Sequence, residues 1–389
     1  MMNRIPYSSY QEELVSLRRH FHMQPELSME EKETAEDVFQ YLKSLGLEPE
    51  KIGENAVTVM VWAPEERRKH CKTVAVRAEM DALPVQEQNE VPWKSRRDGV
   101  MHACGHDAIL ATGLVLAKLC TEYRDQLPVN VKFLFQPAEE NGQGTQIMLD
   151  AGVMENPHVD EYLMFHYVND APLGMELHRG VSTAAIGSVR LEIHGKAAHW
   201  SSSGQGIDSI YAAARIVEVV HEINRSYQSK WPFIVGIGMI QGGKAKNVVA
   251  EETVLQGTLR TCDLNEYYEL RNIFLDRIRG IEAETGTVIT AEIDEEPIPP
   301  IVNDDSMVDR GLEVGEEIWG ENSRLVTQLY LSGDSAAYYF RYARGLFAVF
   351  TAEKQGEKNY PLHNGRFDFD EEVLWKAAAT LHSFLLKSK

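Results

Sequence analysis

The sequence predicts a discontinuous α/β domain interrupted by a small ferredoxin-like α+β domain. The first observation is a succession of short apolar segments, rich in β-forming residues and separated by helical segments, within residues 1–184. The second is a change of pattern from about residue 185, where strands and helices follow in the order β-α-β-β-α-β. The third is the proline-rich segment 295–304, beyond which the α/β pattern returns.

The apolar segments of the α/β domain are typical of strands buried on both faces of a sheet. They are TVAVRA (73–78), VKFLF (131–135) and YLMF (162–165), and helical segments such as 108–120 separate them. Functional residues of open α/β sheets lie at the carboxyl ends of such strands. The residues that follow each strand are therefore the first candidates for a functional site.

Closer to the N-terminus, Ser28 and Glu31 have the Ser-x-x-Glu spacing of a capping box, which predicts the start of a helix. Ala35, Val38 and Leu42 follow at positions that share one helical face. We expect Ser28 and Glu31 to cap this helix.

The interrupting segment has the pattern of an independent domain of about 110 residues. Its strands are predicted at 188–195, 233–240, 253–262 and 287–293. One helix is predicted to begin near Asp208, and a second to span about 266–283. The predicted domains are therefore 1–184 together with 297–389 for the α/β part, and 185–296 for the insert.

The composition excludes several classes of protein. Lys and Arg number 39 and Asp and Glu number 59, so the net charge of −20 disfavours nucleic acid and anionic membranes as partners. No segment approaches the ~20 apolar residues of a membrane span, and MMNRIPYSSYQEEL has no apolar signal-peptide core. Only four cysteines are present, which favours a reducing, cytoplasmic location.

The segment MHACGHDA (101–108) places Cys104 and His106 two residues apart, on a turn before a helix. A thiolate and an imidazole at this spacing are typical ligands of zinc-type ions. A Cys-x-His pair also occurs by chance, so this motif alone does not establish a metal site.

Metal-capable side chains also follow two other strands. Glu139 and Glu140 are adjacent after one of them, and His166 ends another. A solvated acidic turn explains the two glutamates in isolation, but one carboxylate can bind a metal while its neighbour acts as a general base. With His363 late in the chain, Cys104, His106, Glu140 and His166 could hold two metal ions. Asp81, at a further strand end, could orient a ligand histidine.

Taken together, these motifs resemble those of the metallopeptidases of peptidase family M20, in its amidohydrolase branch. The branch includes N-acyl-amino-acid amidohydrolases, hippurate hydrolases and indole-acetyl-amino-acid hydrolases. The resemblance extends in order from Leu17 to Glu372, through RAEMDALPVQE, MHACGHDA, FLFQPAEE, GGKAKNVVAEE and PLHNGRFDFDEE. It implies a zinc-peptidase-like catalytic domain, with a mixed sheet flanked by helices, and an inserted lid that also forms a homodimer.

The resemblance also implies a role for each candidate residue. Glu139 corresponds to the general base, and His199 of the lid to a histidine that stabilises the developing oxyanion. Asn247 and Arg260 correspond to lid residues that approach the substrate. The implied metal ligands are Cys104, His106, Glu140, His166 and His363. These would bind two divalent ions, with zinc or manganese favoured and cobalt or nickel as alternatives.

The implied function is metal-dependent hydrolysis of the amide bond of small-molecule N-acyl amino acids. Other hypotheses are a dipeptidase or aminopeptidase, a catalytically silent acyl-amino-acid-binding homologue, and a cysteine-nucleophile hydrolase. The sequence departs from the branch at Ile109, where a histidine is usual, in Trp200–Gly204, and at Gly333, where a glutamate is usual. These departures leave the acyl group and the amino acid open.

Overall fold

The computed structural model describes residues 5–388, and their contacts group them into two compact units. The first comprises residues 5–180, 302–327 and 338–388, and the second comprises 181–301 and 328–337. Residues 1–4 and 389, which the predicted domain ranges include, lie outside the described residues. The second unit begins and ends within five residues of the predicted insert, but 328–337 also belongs to it rather than to the α/β part.

The elements alternate along the chain as follows. The strands are β1 (Glu50–Ile52), β2 (Ala56–Val61), β3 (Thr73–Glu79), β4 (Asn130–Gln136), β5 (Glu161–Val168), β6 (Gly174–Leu177), β7 (Gly180–Val181), β8 (Ala185–His194), β9 (Phe233–Gly242), β10 (Glu252–Thr261), β11 (Val288–Ile293), β12 (Val302–Asn303), β13 (Ser323–Leu325) and β14 (Arg344–Thr351). The α-helices are α1 (Gln11–Met23), α2 (Lys32–Ser44), α3 (Glu65–Arg68), α4 (His106–Glu122), α5 (Gln143–Asp150), α6 (Ser209–Ser226), α7 (Leu264–Thr285), α8 (Asp305–Trp319) and α9 (Val373–Leu386).

The first unit contains an eight-stranded mixed sheet in the order β1-β2-β4-β3-β5-β14-β6-β13. Its four central strands, β4, β3, β5 and β14, are parallel to one another, whereas β2 and β6 run antiparallel to their central neighbours. Parallel central strands bring their carboxyl ends to one edge of the sheet. The predicted α/β architecture with a mixed sheet is confirmed.

Helix α4 is the most buried helix of this unit, because its residues from His106 to Ala117 all lie in the interior. It packs against β3 and against α1 and α9, so the residue that begins it is held firmly against the strand ends. Within residues 5–388, no helix is long and apolar enough to cross a membrane.

The second unit has the predicted ferredoxin-like order of elements. Its four strands form an antiparallel sheet in the order β11-β8-β10-β9, and α6 and α7 pack together on it. Asp208 caps α6, as predicted, by accepting the N–H groups of Ile210 and Tyr211 at 3.0 and 3.3 Å.

The predicted capping box is wrong. Helix α2 begins at Lys32, so Glu31 occupies the N-cap position and its side chain makes no cap. The Ser28 hydroxyl instead donates to Asp81 Oδ2 at 2.7 Å, and the Thr34 N–H is accepted by the Glu26 carboxylate at 2.8 Å. Met29 has a left-handed backbone (φ 72°), which turns the chain before the helix starts.

His382 on α9 gives a prediction about stability. The ring is fully buried, the Tyr7 hydroxyl lies at hydrogen-bond distance (2.9 Å) from its Nδ1, and burial lowers the pKa of His382 from 6.5 to about 4. The unfolded chain binds a proton on this ring more tightly than the folded chain does. The free energy of unfolding is therefore unaffected by this group above pH 6.5 and decreases as the pH falls from 6.5 toward 4. We expect His382→Phe to flatten the pH dependence of the unfolding free energy by on the order of 3 kcal/mol over this window. Denaturant unfolding at several pH values measures it, with the exposed His70→Gln as control; an unchanged slope in His382→Phe would contradict the assignment.

Candidate active site

Three strand ends of the first unit deliver the predicted site residues. The β3 strand is followed by Asp81, the β4 strand by the turn that carries Glu139 and Glu140, and His166 lies near the end of β5. The turn before α4 adds Cys104, the first residue of α4 is His106, and the loop after β14 adds His363. Apart from Asp81, all six of these side chains take part in groups of three that could hold a metal ion. Within each group the ligand atoms lie within 4.8 Å of one another, and the groups share members. They are Cys104–His106–His166, Cys104–Glu140–His363 and His106–Glu139–Glu140.

The Cys104–His106 turn depends on Gly105, whose left-handed backbone (φ 84°) is accessible to glycine at little cost. His106 Nδ1 lies 2.9 Å from the backbone oxygen of Asp81 and 3.3 Å from its Oδ1. A proton on Nδ1 is therefore accepted by Asp81, and Nε2 is directed at Glu140 Oε1, 3.9 Å away. The orienting role predicted for Asp81 agrees with this contact.

His166 has a similar arrangement. Its Nδ1 lies 2.9 Å from the backbone oxygen of Tyr167, and its Nε2 lies 3.6 Å from Cys104 Sγ. Both histidines thus present Nε2 to the cluster while a backbone oxygen holds Nδ1. This is the orientation that metal-binding histidines adopt.

His363 and Ala138 both have left-handed backbones, with φ of 65° and 50°. Positive φ is uncommon in residues other than glycine, and where it occurs the surrounding contacts must hold it. The His363 N–H donates to the backbone oxygen of Ala103 at 2.8 Å, and its Nε2 lies 3.6 Å from Glu140 Oε2. Two loops are therefore held in strained conformations where they meet Glu140.

The donor set fits divalent metal ions. Ligand atoms around a tetrahedral zinc ion are about 3.3–3.8 Å apart, given metal–ligand distances of about 2.0–2.3 Å. The Cys104–His166, His106–Glu140 and His363–Glu140 separations of 3.6, 3.9 and 3.6 Å are close to that range. Glu140 Oε1 is buried without a hydrogen-bond partner among residues 5–388, which leaves it an acceptor for a cation.

Metal binding at the cluster is linked to the protonation of its side chains. Burial raises the pKa of the Cys104 thiol well above its usual range. Burial alone would lower the pKa of His106, but Cys104 and Asp81 offset it and raise that pKa well above 6.5. A cation beside these groups favours thiolate and neutral imidazole, so metal binding is expected to release protons.

Comparison with known proteins identifies the family of the chain. The family model described as peptidase family M20/M25/M40 matches residues 75–387. The chain belongs to peptidase family M20/M25/M40. A thermostable carboxypeptidase of Saccharolobus solfataricus is 31% identical over 96% of this chain and 94% of its own.

Two further relatives extend the M20 comparison. The N-acetyl-L-cysteine deacetylase of Bacillus subtilis is 30% identical over 98% of this chain and 89% of its own. The crystal structure of the Bacillus subtilis YXEP protein, a dinuclear metal-binding peptidase of the M20 family, has a TM-score of 0.83 and 27% identity, covering 97% of this chain and 98% of that one. The chain is therefore similar to M20 enzymes over nearly its whole length.

A buried polar network lies around Asp107, the residue after His106. The sequence patterns largely failed to predict it. His22 contacts Asp107 Oδ2 at 2.8 Å and Glu87 Oε1 at 3.3 Å, and Arg18 donates to Asp107 Oδ2 at 3.2 Å. Although burial opposes it, Asp107 and Glu87 raise the pKa of His22 to about 9, and Arg18 with His22 lowers that of Asp107. Asp107 follows His106 directly, so this network holds the start of α4 in place.

The three predicted lid residues lie in the second unit. His199 is exposed, precedes the short 3₁₀ segment Trp200–Gln205, and its Nδ1 lies 2.8 Å from Ser201 Oγ. The Trp200 N–H donates to the backbone oxygen of exposed Asn247 at 3.1 Å, so His199 and Asn247 lie on neighbouring segments. Arg260 on β10 donates to the backbone oxygen of Leu331 at 2.8 Å. Their roles toward substrate stay predictions.

The departures from the M20 branch have different surroundings. Ile109 is fully buried in α4, as expected of a residue that packs rather than binds a metal. Gly333 lies against Ile186, where an added Cβ would be 2.8 Å from the Ile186 side chain. Trp200, in the predicted departure Trp200–Gly204, is half exposed. A larger residue at 333 would therefore require Ile186 to move.

Proposed function

We propose that the chain hydrolyses the amide bond of N-acyl amino acids, releasing a carboxylic acid and a free amino acid. The observation that supports it most is the meeting of Glu139 with five metal-capable side chains at one edge of the sheet. The similarity to an N-acetyl-L-cysteine deacetylase supports the same substrate class.

The metal ligands in this proposal are Cys104, His106, Glu140, His166 and His363, and Cys104 is shared between two triads. They would hold two divalent ions, and the mixed sulfur, nitrogen and oxygen set suits zinc or manganese. When bound, such ions acidify water and polarise an amide carbonyl.

Glu139 is the general base in this proposal. Its carboxylate takes a proton from the attacking water, whose oxygen bonds to the amide carbon, and returns the proton to the departing nitrogen. His199 stabilises the oxyanion that develops on the carbonyl oxygen, and Asn247 and Arg260 bind the substrate, with Arg260 suited to a carboxylate. Asp81 keeps the His106 ring in its orientation.

A peptidase is the second candidate, because the thermostable carboxypeptidase of Saccharolobus solfataricus is equally similar in sequence. The chemistry at the scissile amide is the same in both, so the site geometry of the first unit does not separate them. The difference lies in what flanks the amide: an acyl group for the amidohydrolase, and an amino-acid residue for the peptidase.

The second unit is proposed to act as a lid and to form a homodimer. Its β9 strand is an edge strand that exposes Met239 and Ile240, each about half accessible. An exposed apolar edge strand favours pairing with another chain. A cytoplasmic location is proposed from the low cysteine count.

A substrate panel tests the function. Turnover of acetyl-, benzoyl- and indole-acetyl-amino acids is measured beside dipeptides and N-blocked dipeptides, with the metal content of the same sample determined. We expect kcat/KM for the best N-acyl amino acid to exceed that for any dipeptide by at least about tenfold, a difference of ~1.4 kcal/mol in transition-state binding. A preference for dipeptides would favour the peptidase, and bound metal with no turnover would favour a silent binding protein.

A further inference from the structure

The turn between β4 and α5 carries both the proposed base and a proposed metal ligand. It runs through Pro137 and Ala138 to Glu139 and Glu140, and Ala138 has a left-handed backbone. Alanine reaches this conformation only at a cost, so other contacts must hold the turn. The contacts that fix the backbone of this turn also fix the direction of the Glu139 side chain.

Two buried carboxylates hold the turn by its backbone. Glu31 Oε1 accepts the N–H of Ala138 at 2.7 Å, and Asp81 Oδ2 accepts the N–H of Glu140 at 3.0 Å. These acceptors therefore lie on either side of Glu139. On the far side of the turn, the Gly144 N–H donates to the backbone oxygen of Ala138 at 3.1 Å, and an added Cβ at Gly144 would lie 1.6 Å from the Pro137 oxygen, so the two segments pack closely there.

The surroundings of Glu31 show that its burial needs an explanation. The residue is fully buried, and Asn55 Nδ2 donates to its second oxygen at 3.1 Å. Within residues 5–388, no Lys, Arg or His side chain forms an ion pair with it. Burying a carboxylate without a cation costs free energy, which its hydrogen bonds offset. A buried carboxylate of this kind is therefore explained by what its hydrogen bonds hold in place. Its bond to Ala138 serves the site.

We propose that Glu31 is a positioning residue, which sets the aim of Glu139 and Glu140 by holding Ala138 in its left-handed conformation. The proposal rests on the proposed function, because Glu31 acts only through Glu139 and Glu140. Loss of the Ala138 bond lets the turn relax toward negative φ, which displaces the base. Displacements of ~1 Å near reacting atoms lower turnover by about 10²-fold.

Two substitutions at Glu31 separate the effect of side-chain length from the effect of charge. Glu31→Gln keeps the length of the side chain and an oxygen for the Ala138 N–H, and the Asn55 amide can turn over so that its oxygen accepts the new NH2 group, but the charge is removed. Glu31→Asp keeps the charge but withdraws the oxygen by one methylene group, so the bond to Ala138 is lost. We expect Glu31→Gln to keep kcat within about threefold, and Glu31→Asp to lower kcat by about 10–100-fold with KM within about threefold.

A matched control accounts for the general effect of altering a buried carboxylate. Glu161 is also buried, at the other end of β5 from His166, where it pairs with Lys72, Arg310 and Arg344. Glu161→Asp is expected to lower the midpoint of thermal unfolding while leaving kcat unchanged.

A second readout does not require turnover. Titration of the metal-free protein with Zn²⁺ by calorimetry is expected to show binding weakened about tenfold or more in Glu31→Asp and little changed in Glu31→Gln, since Glu140 belongs to the same turn. Wild-type kcat and Zn²⁺ affinity in Glu31→Asp, or a loss in Glu31→Gln that exceeds the loss in Glu31→Asp, would overturn the proposal. A wild-type enzyme inactive on every substrate would instead refute the proposed function, and the Zn²⁺ titration would still decide the role of Glu31.

Discussion

Glu139→Gln is expected to lower kcat by about 10²–10⁴-fold while leaving the bound metal in place. The amide has nearly the same shape as the carboxylate, but it cannot take a proton from water or deliver one to the leaving nitrogen. Among residues 5–388, Glu139 belongs to a single metal-capable triad, whose other members, His106 and Glu140, remain in this variant. Turnover of the best N-acyl amino acid and metal analysis of the same preparation measure the two effects.

The neighbouring Glu140→Gln is the matched comparison for Glu139→Gln. Glu140 has ligand atoms in two triads and a buried oxygen with no hydrogen-bond partner among the described residues, so its loss should reduce metal content as well as turnover. Wild-type kcat in Glu139→Gln, or equal metal loss in both variants, would contradict the division of roles between the two glutamates.

Removal of the metal ions is expected to abolish turnover to the limit of detection and to lower the unfolding temperature. Ions that bind only the folded chain stabilise it, by about 2.7 kcal/mol when the free ion is at 100 times its Kd. Dialysis against a chelator, followed by calorimetry and by addition of zinc or manganese separately, measures the loss and its recovery. The metal that restores kcat at the lowest concentration identifies the preferred ion.

This experiment also separates the metal hypothesis from a cysteine nucleophile. Burial raises the pKa of the Cys104 thiol, which suppresses the thiolate that a nucleophile requires. Turnover that survived complete removal of the metal and disappeared in Cys104→Ser would contradict the metal-dependent mechanism.

The elements that could be predicted from sequence are those with a strong local pattern. The strands around Val74, Phe133 and Leu163 are continuous apolar runs, and the alternating residues of β8 distinguish the second sheet from the first. The candidate site could be located because its side chains follow such strands. The structure brings them together, while their roles toward metal and substrate await the experiments above.

Glu31 and His22 show what local patterns do not reveal. The spacing of Ser28 and Glu31 is that of a capping box, yet both side chains form hydrogen bonds with residues distant in sequence. The Glu31 carboxylate accepts the Ala138 N–H, and the Ser28 hydroxyl donates to Asp81. The His22 side chain forms a hydrogen bond with Asp107, which lies 85 positions away in the sequence. A hydrogen bond to a distant backbone leaves no periodic trace in the sequence, so only the folded chain identifies these partners.

The place of β14 in the first sheet has a consequence for the synthesis of the protein. The strand lies between β5 and β6, which are consecutive before the second unit begins, but its own residues, Arg344–Thr351, follow that unit. A growing chain therefore carries an open gap at the middle of its main sheet until nearly all of it has left the ribosome. Unpaired central strands invite association between nascent chains, and closing so long a loop is slow. Folding of the second unit before β14 emerges would shorten the loop that β14 must close, because the two ends of that segment meet in the folded unit, where the Ser182 N–H donates to the Ile301 oxygen at 2.9 Å.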